Sequence, residues 1–183
     1  MSHFHDAAPS AWVERWARHV RPGGKVLDVA CGGGRHARLL ARMGFEVIAV
    51  DRDPALFEGP PAGVELRAAD LEGAPWPFEG ERFDAIVVTN YLHRPLMAHL
   101  AASLAPNGIL IYETFAQGNE AFGKPSNPAF LLAPGELLAF AQAHGLRVLA
   151  YEDGVVATPR PARVQRLCAV GPAYDFRAPR LDN

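Results

Sequence analysis

The chain has 183 residues, a formal net charge of −2 and 49% hydrophobic residues, the size of one domain with enough apolar content to cover a sheet on both faces. Its arginines are dispersed and form no basic tract, which argues against bulk DNA or RNA as a partner without excluding a small RNA target. No apolar run approaches the roughly 20 residues of a spanning helix, and the opening MSHFHDAAPS lacks the apolar centre of a signal peptide, so a cytoplasmic protein with no membrane partner is expected.

In chain order, His3 and His5 stand in a Pro- and Ala-rich terminus and are not expected to form a metal pair. Ser10 is a helix cap, and the helix it opens is expected to run to about Val20 with Trp12, Trp16 and Val20 on one face that packs on a sheet. Pro22-Gly23-Gly24 ends it. The stretch from Lys25 to Asp53 then reads as a buried strand (Val26, Leu27, Val29), a turn of small residues (Ala30, Cys31, Gly32, Gly33, Gly34), an amphipathic helix and a second buried strand ending in Asp51. Glycines in such a turn let backbone amides and the following helix N-terminus approach a ligand, and the acid at the second strand's end suits a ribose with two free hydroxyls. Dinucleotides and S-adenosylmethionine both satisfy this pattern. Asp28, just before the turn, would repel a pyrophosphate and suits a ligand with an ammonium and a sulfonium.

These residues resemble motif I of class I S-adenosylmethionine-dependent methyltransferases, acid-x-Gly-x-Gly-x-Gly, matched here by Asp28, Ala30, Gly32 and Gly34. Ala30 departs from the first glycine and is expected to take a negative φ. The resemblance implies an α/β fold: a single Rossmann-like, doubly wound sheet of about seven strands, mostly parallel, with a C-terminal antiparallel hairpin and helices on both faces. It also implies that Phe4 to Asp6 folds over the cofactor as a lid. Cys31 reads as a small residue fitting a tight loop, with a redox or nucleophilic role as the alternative. Cys31 and Cys168 follow no zinc or disulfide spacing, and no metal is expected. Arg35, a cation at a helix start, is expected to meet the methionine carboxylate or, alternatively, to be solvated or paired with Asp28 or Asp51.

After Asp51-Arg52-Asp53-Pro54, with Asp53 capping a short helix, a third strand runs Val64 to Ala68 and leads to Asp70 and Leu71. In the family this acid meets the adenine amino group and the next residue offers its backbone to the ring; a plain loop acid is the alternative. The fourth strand, Phe83 to Thr89, lies across the switch point from the first, so Asn90, Tyr91, Leu92, His93 and Arg94 face the transferable methyl. This is not the Asn-Pro-Pro-Tyr of enzymes that methylate planar nitrogens, which disfavours DNA adenine and glutamine as targets. His93 is placed for a general base, with a backbone-bonded strand-end histidine as the alternative.

A helix from Pro95 to about Leu104, the turn Ala105 to Gly108 and a fifth strand, Ile109 to Phe115, give the family's Leu-x-Pro-x-Gly-x-Leu pattern. The Gly-, Pro- and Asn-rich residues 116–133 are expected to face the substrate. A helix from Pro134 to His144 precedes strands at Leu146 to Tyr151 and Arg163 to Val170, which match the closing hairpin. Arg160, Arg163 and Arg166 are read as a solvated sheet edge or, alternatively, an anionic substrate patch. The CGGGR turn and the Phe-Leu-Leu-x-Pro-Gly-Glu-Leu helix start look most like the small tellurite-resistance type methyltransferases.

The chain is thus expected to be one methyltransferase domain: helix and lid at 1–24, cofactor-binding core at 25–171, tail at 172–183. Asp28, Ala30, Cys31, Gly32, Gly34, Arg35, Asp51, Arg52, Asp70, Leu71 and Asn90 are expected at the cofactor, S-adenosyl-L-methionine, with Tyr91 and His93 catalytic toward a small-molecule acceptor. A cofactor-binding scaffold without turnover and a nicotinamide-dependent oxidoreductase, supported only by Gly32-x-Gly34-x-x-Ala37, stay open. Oligomeric state is not legible.

Overall fold

The computed structural model describes residues 8–175, so His3, His5, the proposed lid at Phe4 to Asp6 and the end of the tail lie outside the described residues. Seven strands form one sheet: β1 (Lys25–Val29), β2 (Glu46–Asp51), β3 (Val64–Ala68), β4 (Phe83–Thr89), β5 (Leu104–Phe115), β6 (Arg147–Val156) and β7 (Ala162–Val170). Their order is β3-β2-β1-β4-β5-β7-β6, parallel through β5, with β7 antiparallel to both its neighbours. The order reverses direction between β1 and β4, so a crevice opens beyond their carboxyl ends.

The central strands alternate between two covered faces, which is why they read as continuous apolar runs. Leu27, Val29, Ile86, Val88, Leu110 and Tyr112 join Leu100 of α3 (Met97–Ser103) and Leu137 and Phe140 of α4 (Glu136–Ala143) on one face. Val26, Ala85, Val87, Ile109 and Ile111 lie on the other, under Trp12 and Trp16 of α1 (Ala11–Ala17) and Ala37 and Leu40 of α2 (Arg35–Arg42). No helix among the described residues is long and apolar enough to cross a membrane.

Several expected boundaries shift. Ser10 caps α1 through the Trp12 amide, but the helix stops at Ala17; Val20 is still buried, reached through successive turns in which the His19 and Val20 amides donate to Trp16 and Ala17. β5 begins at Leu104, because Leu104 already pairs with Phe83 and the Ala105 to Gly108 turn bulges out before Ile109 pairs with Ala85. β6 runs on to Val156.

The reading of Arg163 and Arg166 as a solvated edge is corrected, because β7 is an interior strand and β6 forms the edge; Arg160 lies in the connection before β7 and is exposed. Arg166 faces Glu113 on one neighbour and Glu152 on the other and bonds both carboxylates, a cross-strand ladder of charges. Arg163 pairs with Asp153 at 2.7 Å, and Arg160 donates to the Lys124 carbonyl at 3.1 Å. All three guanidinium groups have protein partners.

Residues 116–133, expected to be irregular, have an internal order built on Asn119, which is 1% exposed. Its amide nitrogen donates to the Pro125 carbonyl at 2.9 Å, and its oxygen accepts the Arg163 amide at 3.0 Å. Ala116 bridges Leu132, closing the loop at its base. Asn119→Ala leaves a buried donor and acceptor unpaired and is expected to cost about 1–3 kcal/mol. Thermal unfolding should register this loss, and limited proteolysis should cut faster within 116–133; wild-type behaviour in both assays would show that Asn119 does not organise the loop.

Candidate active site

The turn leaving β1 is held by backbone geometry. Ala30, Gly32 and Gly34 all have positive φ, at 53°, 52° and 76°. Ala30 therefore corrects the expected negative φ: the alanine adopts the left-handed conformation that a glycine would take more readily, at a cost of about 1–2 kcal/mol. The Cys31 amide donates to the Val50 carbonyl at 3.0 Å, and the Gly32 amide to Asp51 Oδ2 at 2.8 Å, so the turn wraps onto the end of β2. The other Asp51 oxygen accepts the Asp53 amide at 3.0 Å, and each oxygen keeps a lone pair for a further donor. A Cβ at Gly34 would fall 2.3 Å from the ring of Phe57. Phe57 is a residue the sequence reading missed; the Asp53-capped turn, Pro54–Leu56, brings it back over the glycines, and Arg38 stacks on it at 4.6 Å. Cys31 is mostly buried and its thiol pKa is pushed up by burial and by Asp28 and Asp51, which leaves it a protonated small residue.

Asp28 is 1% exposed, and its Oδ2 has no hydrogen-bond partner. Burial raises its pKa to about 7 against the opposing pull of the Ala37 amide and the Arg35 charge, with Asp51 adding to the rise. Arg35 pairs with neither Asp28 nor Asp51: among the described residues its guanidinium donates to the Ala8 carbonyl at 3.3 Å. Next to it is His36, which the sequence reading did not single out, although His36, Leu40 and Met43 share a helical stripe. His36 is 2% exposed, and burial, then Arg35, hold its pKa down to about 3. Its Nε2 accepts the Ser10 amide at 3.0 Å; the neutral ring therefore carries its proton on Nδ1, 3.2 Å from Thr89 Oγ1.

Beyond β3 and β4, Asp70 Oδ1 accepts the amides of Glu72 and Gly73, at 3.0 and 3.1 Å, and these bonds hold its pKa below the usual carboxylate range. Asp70 is exposed and Leu71 buried. Asn90 has φ 54°, which makes Ala30 and Asn90 the non-glycine residues of positive φ among those described, one at the end of each strand flanking the switch point. Such outliers are held where surrounding structure over-determines them, often at functional sites. The Tyr91 hydroxyl is buried with no partner in good hydrogen-bond geometry, and burial, then the neighbouring Glu72 carboxylate, then the charges of Asp70 and Asp51 push its pKa up. His93 is half-buried. Arg94 grips Glu136 with two nitrogens, at 2.6 and 2.9 Å, and donates to the Ala129 and Leu131 carbonyls, both at 2.9 Å. It fastens the 127–131 segment to the residues following β4.

The structure thus joins Cys31, Gly32, Gly34 and Asp51 by hydrogen bonds, with Asp28 and Ala30 just before them in the chain, and it places Asp70 near Arg52 and His93. The strand ends at the switch point carry the carboxylates of Asp28, Asp51 and Asp70, suited to a ligand with a cationic centre and hydroxyls. Among the described residues, no group of three or more His, Cys, Asp or Glu is arranged to hold a metal.

Residues 1–154 match a family described as a methyltransferase domain. The chain is 38% identical over 108 residues to a protein-L-isoaspartate O-methyltransferase of Methylorubrum extorquens, covering 55% of this chain and 46% of that protein. It is 33% identical over 118 residues to a ubiquinone biosynthesis O-methyltransferase of Azorhizobium caulinodans, covering 58% and 47%. The chain spans about half the length of these curated relatives. Its fold is that of TehB from Haemophilus influenzae (TM-score 0.75, 19% identity, 92% of this chain and 64% of that one). It is also that of the glycopeptide N-methyltransferase MtfA, solved with S-adenosyl-L-homocysteine (TM-score 0.64, 20% identity, 91% of each chain).

Asp28 yields a test that needs no ligand. Its folded pKa, about 7, lies above its ordinary value of 3.8, so the folded chain holds the extra proton between these limits. The stability this contributes is complete below about 3.8 and is lost as pH rises through about 7. Asp28→Asn is therefore expected to unfold at a higher temperature than wild type at pH 8, by at least about 2–4 °C, a gap worth about 1 kcal/mol at this chain size. The gap should close toward pH 4 in thermal melts; a gap unchanged between the two pH values would show that Asp28 carries no buried charge.

Proposed function

The chain belongs to the methyltransferase-domain family, and we propose that it binds S-adenosylmethionine in the acidic crevice and catalyses methyl transfer to a small-molecule nucleophile by in-line displacement. The observation that carries this reading is Asp28: a buried carboxylate with an unpaired oxygen beside a turn of amides awaits a cationic donor. A pyrophosphate would be repelled there, which disfavours the nicotinamide alternative.

In this reading the Ala30 to Gly34 turn, whose Cys31, Gly32 and Gly34 amides bond the protein itself, packs its backbone against the amino-acid end of the cofactor, with Cys31 giving its small volume and Arg35 meeting the carboxylate. Asp51 accepts from the ribose hydroxyls with its remaining lone pairs, Arg52 borders it, and Asp70 with the Leu71 backbone takes the adenine edge. Asn90 directs the backbone toward the acceptor side. When bound, the sulfonium supplies an activated methyl group: its bond to sulfur breaks as the bond to the nucleophile forms, and the electron pair goes to sulfur. The protein's share is to position the nucleophile and exclude water, and that share supplies most of the acceleration for a soft nucleophile. His93 takes the proton of a protic nucleophile, and the buried Tyr91 hydroxyl orients it. The relatives named for protein and for ubiquinone-pathway substrates leave both acceptor classes in the family. The small-molecule reading is supported by the Arg94 clamp, which ties the 127–131 segment to the residue that follows His93.

Isothermal titration is expected to show binding of both S-adenosylmethionine and its demethylated product; binding of neither would overturn the assignment. Asp51→Ala is expected to weaken both at least tenfold, whereas Asp28→Asn should weaken the sulfonium more than the neutral thioether. With labelled methyl donor and a panel of small thiols, amines and phenols set against protein acceptors, His93→Ala is expected to lower single-turnover rates at least tenfold at unchanged cofactor affinity. Unchanged rates would remove His93 from the chemistry.

A further inference from the structure

The ring of His36 joins three separate pieces of the molecule. It sits in the first turn of α2, directly after the glycine turn; its Nε2 receives the backbone N–H of Ser10 at 3.0 Å, and its Nδ1 lies 3.2 Å from the hydroxyl of Thr89, the last residue of β4 before the left-handed Asn90. The residue before it, Arg35, donates to the Ala8 carbonyl at 3.3 Å. Two successive side chains at the opening of α2 therefore hold the stretch 8–10 against that helix end, directly after the glycine turn. Ser10 uses its side chain to cap α1, so its amide is the point through which α1 and the residues before it are tied to the crevice. Both ring nitrogens are occupied, and the ring is 2% exposed. Such a ring has no free valence for a ligand.

We propose that His36 is a positioning residue: by fixing the Ser10 amide to the end of β4 it holds the stretch leading into α1 across the crevice mouth and thereby sets cofactor affinity without touching the cofactor. This rests on the crevice being the S-adenosylmethionine site. The ring acts through its two hydrogen bonds rather than its volume, which separates it from a histidine that merely fills the core: an apolar ring of similar size keeps the packing but leaves the Ser10 amide and Thr89 hydroxyl without their partner.

The experiment compares wild type, His36→Phe and His36→Gln for binding of S-adenosylhomocysteine by calorimetry and for hydrogen exchange of residues 8–17 with and without it. His36→Phe is expected to bind at least tenfold more weakly and to lose the ligand-induced slowing of exchange at residues 8–10, while His36→Gln, whose amide oxygen can accept the Ser10 N–H, recovers to within about threefold of wild type. A second pair avoids disturbing the buried ring. Ser10→Ala removes the cap but keeps the amide, and Ser10→Pro removes both at a φ of −63° that proline accepts. Ser10→Pro is expected to bind at least fivefold more weakly than Ser10→Ala. Wild-type affinity in His36→Phe, or equal affinities in the two Ser10 variants, overturns the proposal while leaving the cofactor assignment standing; failure of wild type to bind overturns both.

Discussion

Everything at the crevice depends on burying Asp28 with one oxygen unpaired. A buried polar atom without a partner costs about 1–3 kcal/mol, and more when it is charged, so such an arrangement persists only where its surroundings hold it. Here the holding is done by the parallel strands on either side: β2 and β4 pair with β1 in full register and bury its end, so the carboxyl cannot swing out to water. The turn that follows cannot relax either, because the Cys31 and Gly32 amides are fixed on Val50 and Asp51. Local instability at one carboxylate is thus carried by the most regular part of the sheet. That division explains why the chain can tolerate an alanine in the left-handed region beside it, since Ala30 is held at both its flanks.

Much of this was legible in the residues for physical reasons. β3 and β4 were readable to the residue, β4 because an apolar run buried on both faces ends at Asn90, whereas the apolar residues of β1 and β2 marked the strands without fixing their first residues, Lys25 and Glu46. The glycine turn and the acids at strand ends were readable because only certain residue types suit those backbone positions. Boundaries failed where a local signal was overridden by pairing: Pro106 and Gly108 mark a turn, yet Leu104 is already in the ladder opposite Phe83. β6 ran past Tyr151 because Glu152 and Asp153 are tied to Arg166 and Arg163 of the neighbouring strand, partners no local pattern reveals. The same pairings place the arginines of β7 inside the sheet rather than at its edge.

The residues that escaped reading share one property. His36, Phe57 and Asn119 each act on a segment distant in sequence. His36 bonds Ser10, Phe57 packs on Gly34, and Asn119 bonds Arg163; nothing at those positions names the partner in advance. Arg35 shows the converse, for its position at a helix start was read as a request for an anion, and it is met by a backbone carbonyl of the segment that α2 holds in place.

The two halves of the proposed site are consequently built on different physics. The cofactor half is made of backbone: left-handed residues, amides and carboxylates at strand ends, features that restrict residue type strongly and so leave a trace in the chain. The acceptor half is made by a clamp, in which Arg94 takes two carbonyls and Glu136 from pieces of chain well downstream and so sets how near the 127–131 segment stands to His93. Many residue types satisfy a carbonyl, since the donor recognises the backbone and not the side chain it carries. Phe130, half exposed between the two clamped carbonyls, is therefore free to vary without disturbing the clamp. On the proposed function, donor binding rests on positions the fold constrains most, and the acceptor side on a clamp that leaves the side chains it carries free.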